Sequence, residues 1–329
     1  MRSCRRQYKL ALFTSVLAFC VILVGAYVRL SDAGLGCPDW PGCYGQMLAP
    51  ADQSALGSDY ADQTLHSGKA WKEMIHRYLA GSLGLAILAL SVLAWSNRKQ
   101  LLQPLLLPSM LLILVIFQAA LGMWTVTLLV KPAIVTAHLL GGFATLALLW
   151  LLVLRLKPSS APVSTSGKSR QLMILSLLVV IVQITLGGWT SSNYAALGCS
   201  EFPTCYAGQW WPVMDFREAF VIWRGVGVNY EFGVLELEAR TAIHMTHRIG
   251  ALITLVIVGG LAMRLLRGES DSLRTLGVLL LGLLLLQISL GITNVLGHLP
   301  LPVAVAHNGI AALLLLTLLT TLWMSRRQE

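Results

Sequence analysis

Eight long apolar runs constrain this sequence more than any other feature. They lie at roughly 10–30, 74–95, 105–128, 133–154, 171–192, 241–263, 275–296 and 303–324. Each approaches the ~20 apolar residues that a helix needs to cross the hydrocarbon of a bilayer. The runs are continuously apolar and do not alternate, which selects helices over the strands of a membrane barrel. Composition agrees, with 56% hydrophobic and only 12% charged residues, where a soluble domain carries about a quarter charged. The expected fold is an all-α integral membrane protein with eight transmembrane helices. The first run follows the basic stretch Met1–Lys9, as a signal peptide would. It is nevertheless about 21 residues long and ends in Tyr27, Val28 and Arg29 with no small-residue cleavage site, so it reads as a retained helix.

The basic residues set the orientation. With the N-terminus inside, 15 of the 24 Lys and Arg fall in short segments on that side, among them Arg2, Arg5, Arg98, Arg155, Arg170, Arg264 and Arg326. Of the 15 acids, only Glu269, Asp271 and Glu329 join them. Lys and Arg in short loops fix topology, which places both termini in the cytoplasm. The net charge of +9 is therefore chiefly a topology signal. A nucleic-acid binder would need a basic patch with base-stacking aromatics on a folded domain, and the sequence has none.

The chain repeats itself. Gln118-Ala-Ala-Leu-Gly122 in the third run matches Gln287-Ile-Ser-Leu-Gly291 in the seventh, and His138 and His307 each follow twenty residues after that glutamine. Glu73-Met-Ile-His76-Arg77 matches His244-Met-Thr-His247-Arg248. Gly25 leads to Cys37 and Cys43 with the same spacing by which Gly187 leads to Cys199 and Cys205. So many matches in one order mark a tandem duplication of a four-helix unit. The expected domains are 1–156 and 171–329, two pseudo-twofold-related four-helix bundles joined by a polar cytoplasmic linker at 157–170. An even number of helices per copy makes the repeat parallel, unlike the inverted repeats of many transporters.

Four histidines hold equivalent positions, His76 and His138 in one half and His247 and His307 in the other. An ionisable side chain at membrane depth usually marks a site, although a single histidine can also serve only to bond a neighbouring helix. Two matched pairs favour ligation. Zinc usually takes three or four ligands at short spacing, whereas here each pair comes from two different helices. Two imidazoles facing across a four-helix bundle suit a heme iron with two axial histidines. Arg77 and Arg248 follow one ligand in each half and are candidates for binding heme propionates with a forked guanidinium, the alternative being snorkelling at a helix end. His66 and His298 have no counterparts and read as surface residues.

The halves differ three residues before the first histidine, where Glu73 stands against His244. That position shares a helical face with the ligand. A carboxylate beside one site suits electrostatic or proton-transfer chemistry, and its absence from the other suggests a purely redox heme there. A simple outer-face ion pair of Glu73 with Lys69 or Lys72 is the plainer reading. His244 is a candidate supporting residue around its own site.

Cys4 and Cys20 belong to the inner end and middle of the first helix. Cys37, Cys43, Cys199 and Cys205 all fall on the extracytoplasmic side, where disulfides are permitted. Both pairs are Cys-x5-Cys with an internal proline, a feasible tight disulfide loop. A structural clip is the favoured reading for Cys199 and Cys205, with a redox-active pair left open for Cys37 and Cys43. No Cys-x-x-Cys-His motif is present for covalent heme attachment.

Taken together, these residues resemble the heme A synthase family across nearly the whole chain. The resemblance rests on Gly34-Leu-Gly-Cys-Pro-Asp-Trp-Pro-Gly-Cys43, Glu73-x-x-His76-Arg77, both Gln-x-x-Leu-Gly motifs, His138, His244-x-x-His247-Arg248 and His307. The second outer loop, from Trp211-Pro-Val-Met-Asp-Phe through Trp223-Arg and Tyr230-Glu-Phe-Gly-Val to Ala239-Arg, looks like the proteobacterial and mitochondrial branch. The resemblance implies oxidation of a ring methyl group of heme O to a formyl group by successive hydroxylations, giving heme A for a terminal cytochrome oxidase. It implies a heme b cofactor on His247 and His307, and substrate heme O on His76 and His138. Glu73 would be the catalytic residue, stabilising a positively charged intermediate or handling protons. The second cysteine loop lacks the Pro-Asp-Trp of the first, so no redox role carries over to it.

The implied setting is a bacterial inner membrane, with heme sites toward the extracytoplasmic side. The implied partners are heme O, a heme O synthase as its donor and an electron donor whose identity the sequence leaves open, as it does self-association into a homo-oligomer. Two other classes compete: a diheme cytochrome b-type electron carrier, and a heme transporter or chaperone. A pure carrier has no need of a carboxylate beside one heme only.

Overall fold

The computed structural model describes residues 2–100, 104–157, 163, 165–225, 227–268 and 270–325. All eight apolar runs are helices: α1 (Arg2–Leu30), α2 (Ser67–Ser96), α3 (Leu106–Thr127), α4 (Pro132–Leu156), α5 (Gly167–Ser192), α6 (Leu237–Leu266), α7 (Asp271–Leu296) and α8 (Leu301–Met324). Each is long and apolar enough to span a membrane. Among the described residues the only β-type pairings are two isolated bridges, Cys43 with Gln46 and Tyr206 with Gln209. The protein is an all-α integral membrane protein of eight candidate spans.

Two helices are longer than the rest of those that follow α1 and begin before their apolar runs. Both α2 and α6 are 30 residues long, about 45 Å at 1.5 Å per residue, against a hydrocarbon core about 30 Å thick. Hydropathy sees only the lipid-matched part. The extra outer turns carry Lys69, Lys72 and Glu73 on α2, and Glu238 and Arg240 on α6. These turns reach the cysteine loops.

The helix hairpins close with matched chemistry. Between α3 and α4, Leu129 and Val130 take left-handed φ values of 50° and 51°; between α7 and α8, His298 and Leu299 do the same at 54° and 61°. In each hairpin the second residue donates its N–H back to the preceding helix, Val130 to Thr125 O and Leu299 to Asn294 O, both at 2.8 Å. Pro132 and Pro302 then sit in the first turn of the next helix, where a missing N–H costs no intrahelical bond.

Lipid-facing surface is apportioned the same way in both halves. The buried shares of the four spans are 33, 28, 17 and 33% in the first half and 33, 28, 17 and 39% in the second. The third helix of each set is thus the most lipid-exposed. Its exposed side chains include Ile113, Ile116 and Phe117 on α3, and Val278 and Leu285 on α7.

The chain gathers into two compact units. The first comprises Met1–Leu149 with Ser192–Tyr194 and Val221–Val234; the second comprises Trp150–Ser191, Ala195–Phe220 and Leu235–Glu329. Within the first, α1 packs on α2 and α2 on α3, with the Ser91 hydroxyl donating to Pro108 O at 2.8 Å. Ile22 of α1 reaches the open face of Gly142 on α4. Within the second, α6 packs on α7 and α7 on α8. The inner end of α8 meets α5 through Ser325, which bonds Met173 Sδ at 3.0 Å and accepts from Arg170 at 3.2 Å.

A stretch of the second long outer loop belongs to the first unit. Lys131, 2% exposed, donates its ammonium to the carbonyls of Arg224 and Gly225 and lies 3.7 Å from the centroid of the Trp223 ring. Tyr230, 1% exposed, donates its backbone N–H to Leu129 O at 3.1 Å. Lys69 pairs with Glu231 at 3.6 Å. Arg29 stacks 4.1 Å from the ring centroid of Tyr194, whose hydroxyl reaches Asp32 at 3.2 Å.

Of the expected features, residues 158–162 and 164 of the linker 157–170 and the tail bearing Arg326, Arg327 and Glu329 lie outside the described residues, as do Glu269 and the side chain of Cys4. Cys20 is a free, exposed cysteine on α1.

Candidate functional site

Each of the four matched histidines lies against a glycine of the helix before it. A methyl group on Gly25 would stand 2.8 Å from His76 Cε1, and one on Gly122 would stand 3.4 Å from His138 Cε1. The corresponding distances are 3.3 Å for Gly187 and His247, and 3.2 Å for Gly291 and His307. Most of these separations are tighter than ordinary van der Waals contact, so a Cβ would displace the ring. The glycines therefore make room for imidazoles between closely spaced helices.

The rings are half-buried, and within each half the two lie near enough for their charges to interact. The Nδ1 atoms of His76, His138 and His307 are buried without a hydrogen-bond partner. Buried polar atoms are normally satisfied, so such orphans point to a missing ligand or water. Among the described residues no three His, Cys, Asp or Glu side chains gather around a common point. The donors come as pairs of imidazoles beside small residues, a set that fits an iron already held by four porphyrin nitrogens.

Glu73 and His244 do the same structural job. Glu73, 4% exposed, accepts the backbone N–H of Cys37 on Oε2 at 2.9 Å and pairs through Oε1 with Arg77. His244, also 4% exposed, accepts the N–H of Cys199 on Nδ1 at 3.0 Å, while Arg248 Nε approaches its Nε2 at 3.4 Å. Both side chains tether a cysteine loop to the outer end of a helix. The difference between them is charge. The ion pair expected with Lys69 or Lys72 forms instead with Arg77, one turn along α2; Lys69 is engaged by Glu231, and Lys72 lies 5.2 Å from the ring centroid of Tyr27.

The two arginines are loop clamps in this structure. Arg77 donates to the carbonyls of Asp39, Pro41 and Gly42; Arg248 donates to those of Cys199, Glu201 and Thr204. Each therefore pins its loop to the helix at the residue after the first histidine of its half.

Both cysteine pairs are bonded, Cys37 to Cys43 and Cys199 to Cys205, with Cα separations of 4.8 and 4.3 Å. All four residues are fully buried, so an exchange partner reaches sulfur only if the loop opens. The residue before each pair is a glycine for a steric reason. A Cβ on Gly36 would fall 2.6 Å from the Lys69 carbonyl carbon, and one on Gly198 would fall 2.5 Å from Arg240 O. The loops lie directly on the helix backbone.

Each loop also carries an acid that caps its exit. Asp39 accepts the N–H groups of Tyr44 and Gly45 at 2.6 and 2.9 Å. Glu201 accepts those of Ala207 and Gly208 at 3.0 and 3.1 Å, together with the Thr204 hydroxyl at 2.9 Å. The Gly208 N–H and then the Thr204 hydroxyl hold the Glu201 carboxyl below the usual carboxylate range. Burial, followed by the charge of Asp39, pushes the Tyr44 phenol up.

His66 and His298 are exposed, as their lack of counterparts suggested. Sequence reasoning missed Gln183. Its amide nitrogen lies 3.1 Å from His247 Nδ1 and donates to His247 O at 3.0 Å. The signal was legible: Gln183-Ile-Thr-Leu-Gly187 is a third Gln-x-x-Leu-Gly. Lys131, inside an apolar hairpin, carried no local motif to mark it.

Eight spanning helices with two matched imidazole pairs, each pair capped by a disulfide loop, define a multi-pass membrane protein with two sites suited to porphyrin iron. Residues 8–319 match the family model COX15-CtaA, described as cytochrome oxidase assembly protein, and the chain belongs to that family. Among its relatives is a protein of Shewanella oneidensis named heme A synthase, 50% identical over 312 residues that cover 93% of each chain. Heme A synthases of Chelativorans sp. and Bacillus licheniformis are 27% and 26% identical, covering 95% and 91% of this chain and 88% and 89% of their own.

Proposed function

We infer that this protein is a heme A synthase, which oxidises a ring methyl group of heme O to a formyl group by successive hydroxylations and supplies heme A to a terminal cytochrome oxidase. The observation that carries this is the pairing of imidazoles in both halves, each ring bedded on a glycine, in a chain half identical to a heme A synthase over 93% of its length.

The first unit is the substrate domain, with His76 and His138 as the axial ligands of heme O. The second is the cofactor domain, with His247 and His307 as the ligands of heme b. Bound there, heme b supplies one-electron redox chemistry. Glu73 places a buried negative charge beside the substrate site, where His244, accepting on Nδ1, places a neutral ring beside the other. A fixed carboxylate in a low-dielectric site stabilises positive charge developing on a nearby substrate. Arg77 and Arg248 hold the loops beside the two sites, and we assign their remaining N–H groups to the carboxylates of a bound porphyrin. The sites face the extracytoplasmic side of the inner membrane, with both termini in the cytoplasm; a heme O synthase is the natural donor of substrate.

Extraction and chromatography of hemes from heme O-producing cells, with and without this protein, tests the reading. Heme A is expected only when the protein is present. Bound heme with unaltered ring substituents would instead indicate a carrier or a transporter.

A further inference from the structure

The four odd-numbered positions of the bundles, on α1, α3, α5 and α7, each present a glycine to a histidine. Three of those glycines are preceded four residues earlier by glutamine: Gln118, Gln183 and Gln287. The fourth, Gly25 on α1, is preceded by Val21. The consequence is visible around the rings. In the second unit Gln183 meets His247 at Nδ1, 3.1 Å away, while Gln287 meets His307 at Nε2, 3.2 Å away, and leaves His307 Nδ1 unpartnered. In the first unit, His76 Nδ1, His138 Nδ1 and the amide nitrogen of Gln118 are all buried without partners.

The space around Gln183 is built for it. A Cβ on Gly250 of α6 would collide with Gln183 Oε1. The residue matching Gly250 in the first half is Leu79, so the glutamine–glycine pair of one unit corresponds to a valine–leucine pair in the other. Two positions on different helices differ together, in the sense that packing requires.

We propose that Gln183 is the positioning residue that locks His247, making the second-unit site one that retains its porphyrin, while Val21 and Leu79 leave His76 unlocked and make the first-unit site one that exchanges it. This rests on the assignment of the histidines as iron ligands. A ligating imidazole that coordinates through Nε2 carries its proton on Nδ1 and needs an acceptor there to fix its tautomer and ring plane. Gln183 Oε1 is buried and unpartnered; half a turn of the terminal amide brings it to Nδ1 and gives up the 3.0 Å bond from Nε2 to His247 O in exchange. His76 has only apolar side chains at the matching places. A substrate site must release its product every turnover, and a ring without an orienting bond gives up its metal more readily.

The test is porphyrin transfer from the full-length protein, loaded with hemin in lipid nanodiscs, to an excess of apo-globin. Wild-type protein is expected to release hemin in a fast phase that His76→Ala removes and a slow phase that His247→Ala removes. Gln183→Met should speed the slow phase about 10–100-fold, the usual effect of losing such an outer partner, without changing the fast phase. Gln183→Glu, which keeps an acceptor at the same reach, should keep release slow and lower the midpoint potential of that heme, a shift that a purely packing role would not produce. The double variant Val21→Gln/Leu79→Gly should slow the fast phase. An unchanged slow phase in Gln183→Met overturns the proposal. If Gln183→Met takes up no hemin, the double variant decides, and an unchanged fast phase there overturns it. Phases untouched by either histidine variant would refute the ligand assignment itself, and the proposal with it.

Discussion

Glu73 Oε2 accepts the backbone N–H of Cys37 at 2.9 Å, and this single bond gives the residue two roles that mutation can separate. One is mechanical, holding the disulfide loop to α2. The other is electrostatic, setting a buried negative charge beside His76, which we propose as a substrate ligand. His244 performs the first role for Cys199 without the charge. Glu73→His therefore imports the second half's tether into the first. The loop should stay closed, with the Cys37–Cys43 bond resisting a phosphine reductant as in wild type. Conversion of heme O to heme A should fall by about 100-fold or more, as when a preorganised electrostatic group is removed. Full conversion by this variant, measured by chromatography of extracted heme, would assign Glu73 to the loop alone.

The glycine beds predict a graded response. A methyl group on Gly25 would stand 2.8 Å from its histidine and one on Gly122 would stand 3.4 Å away. Gly25→Ala should therefore displace His76 and abolish hemin binding in the first unit, while Gly122→Ala should weaken it only modestly. Titration of each variant with hemin, followed by the low-spin optical bands, reads the order. Equal effects would mean that the helices shift to absorb either methyl.

Lys131 anchors residues 221–234 to the outer end of the first unit by two carbonyl contacts and the Trp223 ring. Lys131→Met keeps the length and apolar stem of the side chain but removes the ammonium. Hydrogen bonds to a charged donor contribute about 1.5–3 kcal/mol, so this stretch should open roughly 10–150-fold more often. Limited proteolysis from the outer side should cut within 221–234 faster, with the helices left intact. An unchanged cleavage rate would assign the anchoring to Tyr230 and Glu231 instead.

Glu201 gives the second cysteine loop an acid sensitivity. Its carboxyl is held below the usual carboxylate range, first by the Gly208 N–H. A depressed folded-state pKa contributes stability that is present above the unfolded value and lost as pH falls through the folded one. Reduction of Cys199–Cys205 by a phosphine should accelerate as pH drops below about 4.5, and Glu201→Gln should flatten that dependence. A profile identical in the two proteins would remove Glu201 from the loop's closure.

The eight helices, their duplication and the four histidines were legible because each leaves a pattern in the chain: long apolar runs, repeated spacings, ionisable residues at membrane depth. The outer ends of α2 and α6 were not, since hydropathy registers lipid contact and those turns stand beyond it. Their polar residues are helical because they continue an established helix. The partner of Glu73 is not legible either, because the place of Arg77 beside a candidate ligand suggests a propionate, while its side chain pairs with the acid one turn back on the same face. The least legible contact was that of Lys131 with Arg224 and Gly225, more than ninety residues away; no spacing rule links a hairpin lysine to the carbonyls of a distant loop.

The allotment of Val221–Val234 to the first unit has a consequence for how the protein is made. A ribosome finishing α4 has not yet synthesised the strap that closes the outer end of the first bundle. That bundle waits, unroofed, until α5 and most of the following loop have been synthesised. The duplication thus yielded two halves that are no longer independent in time: the first to be translated is the last to be completed.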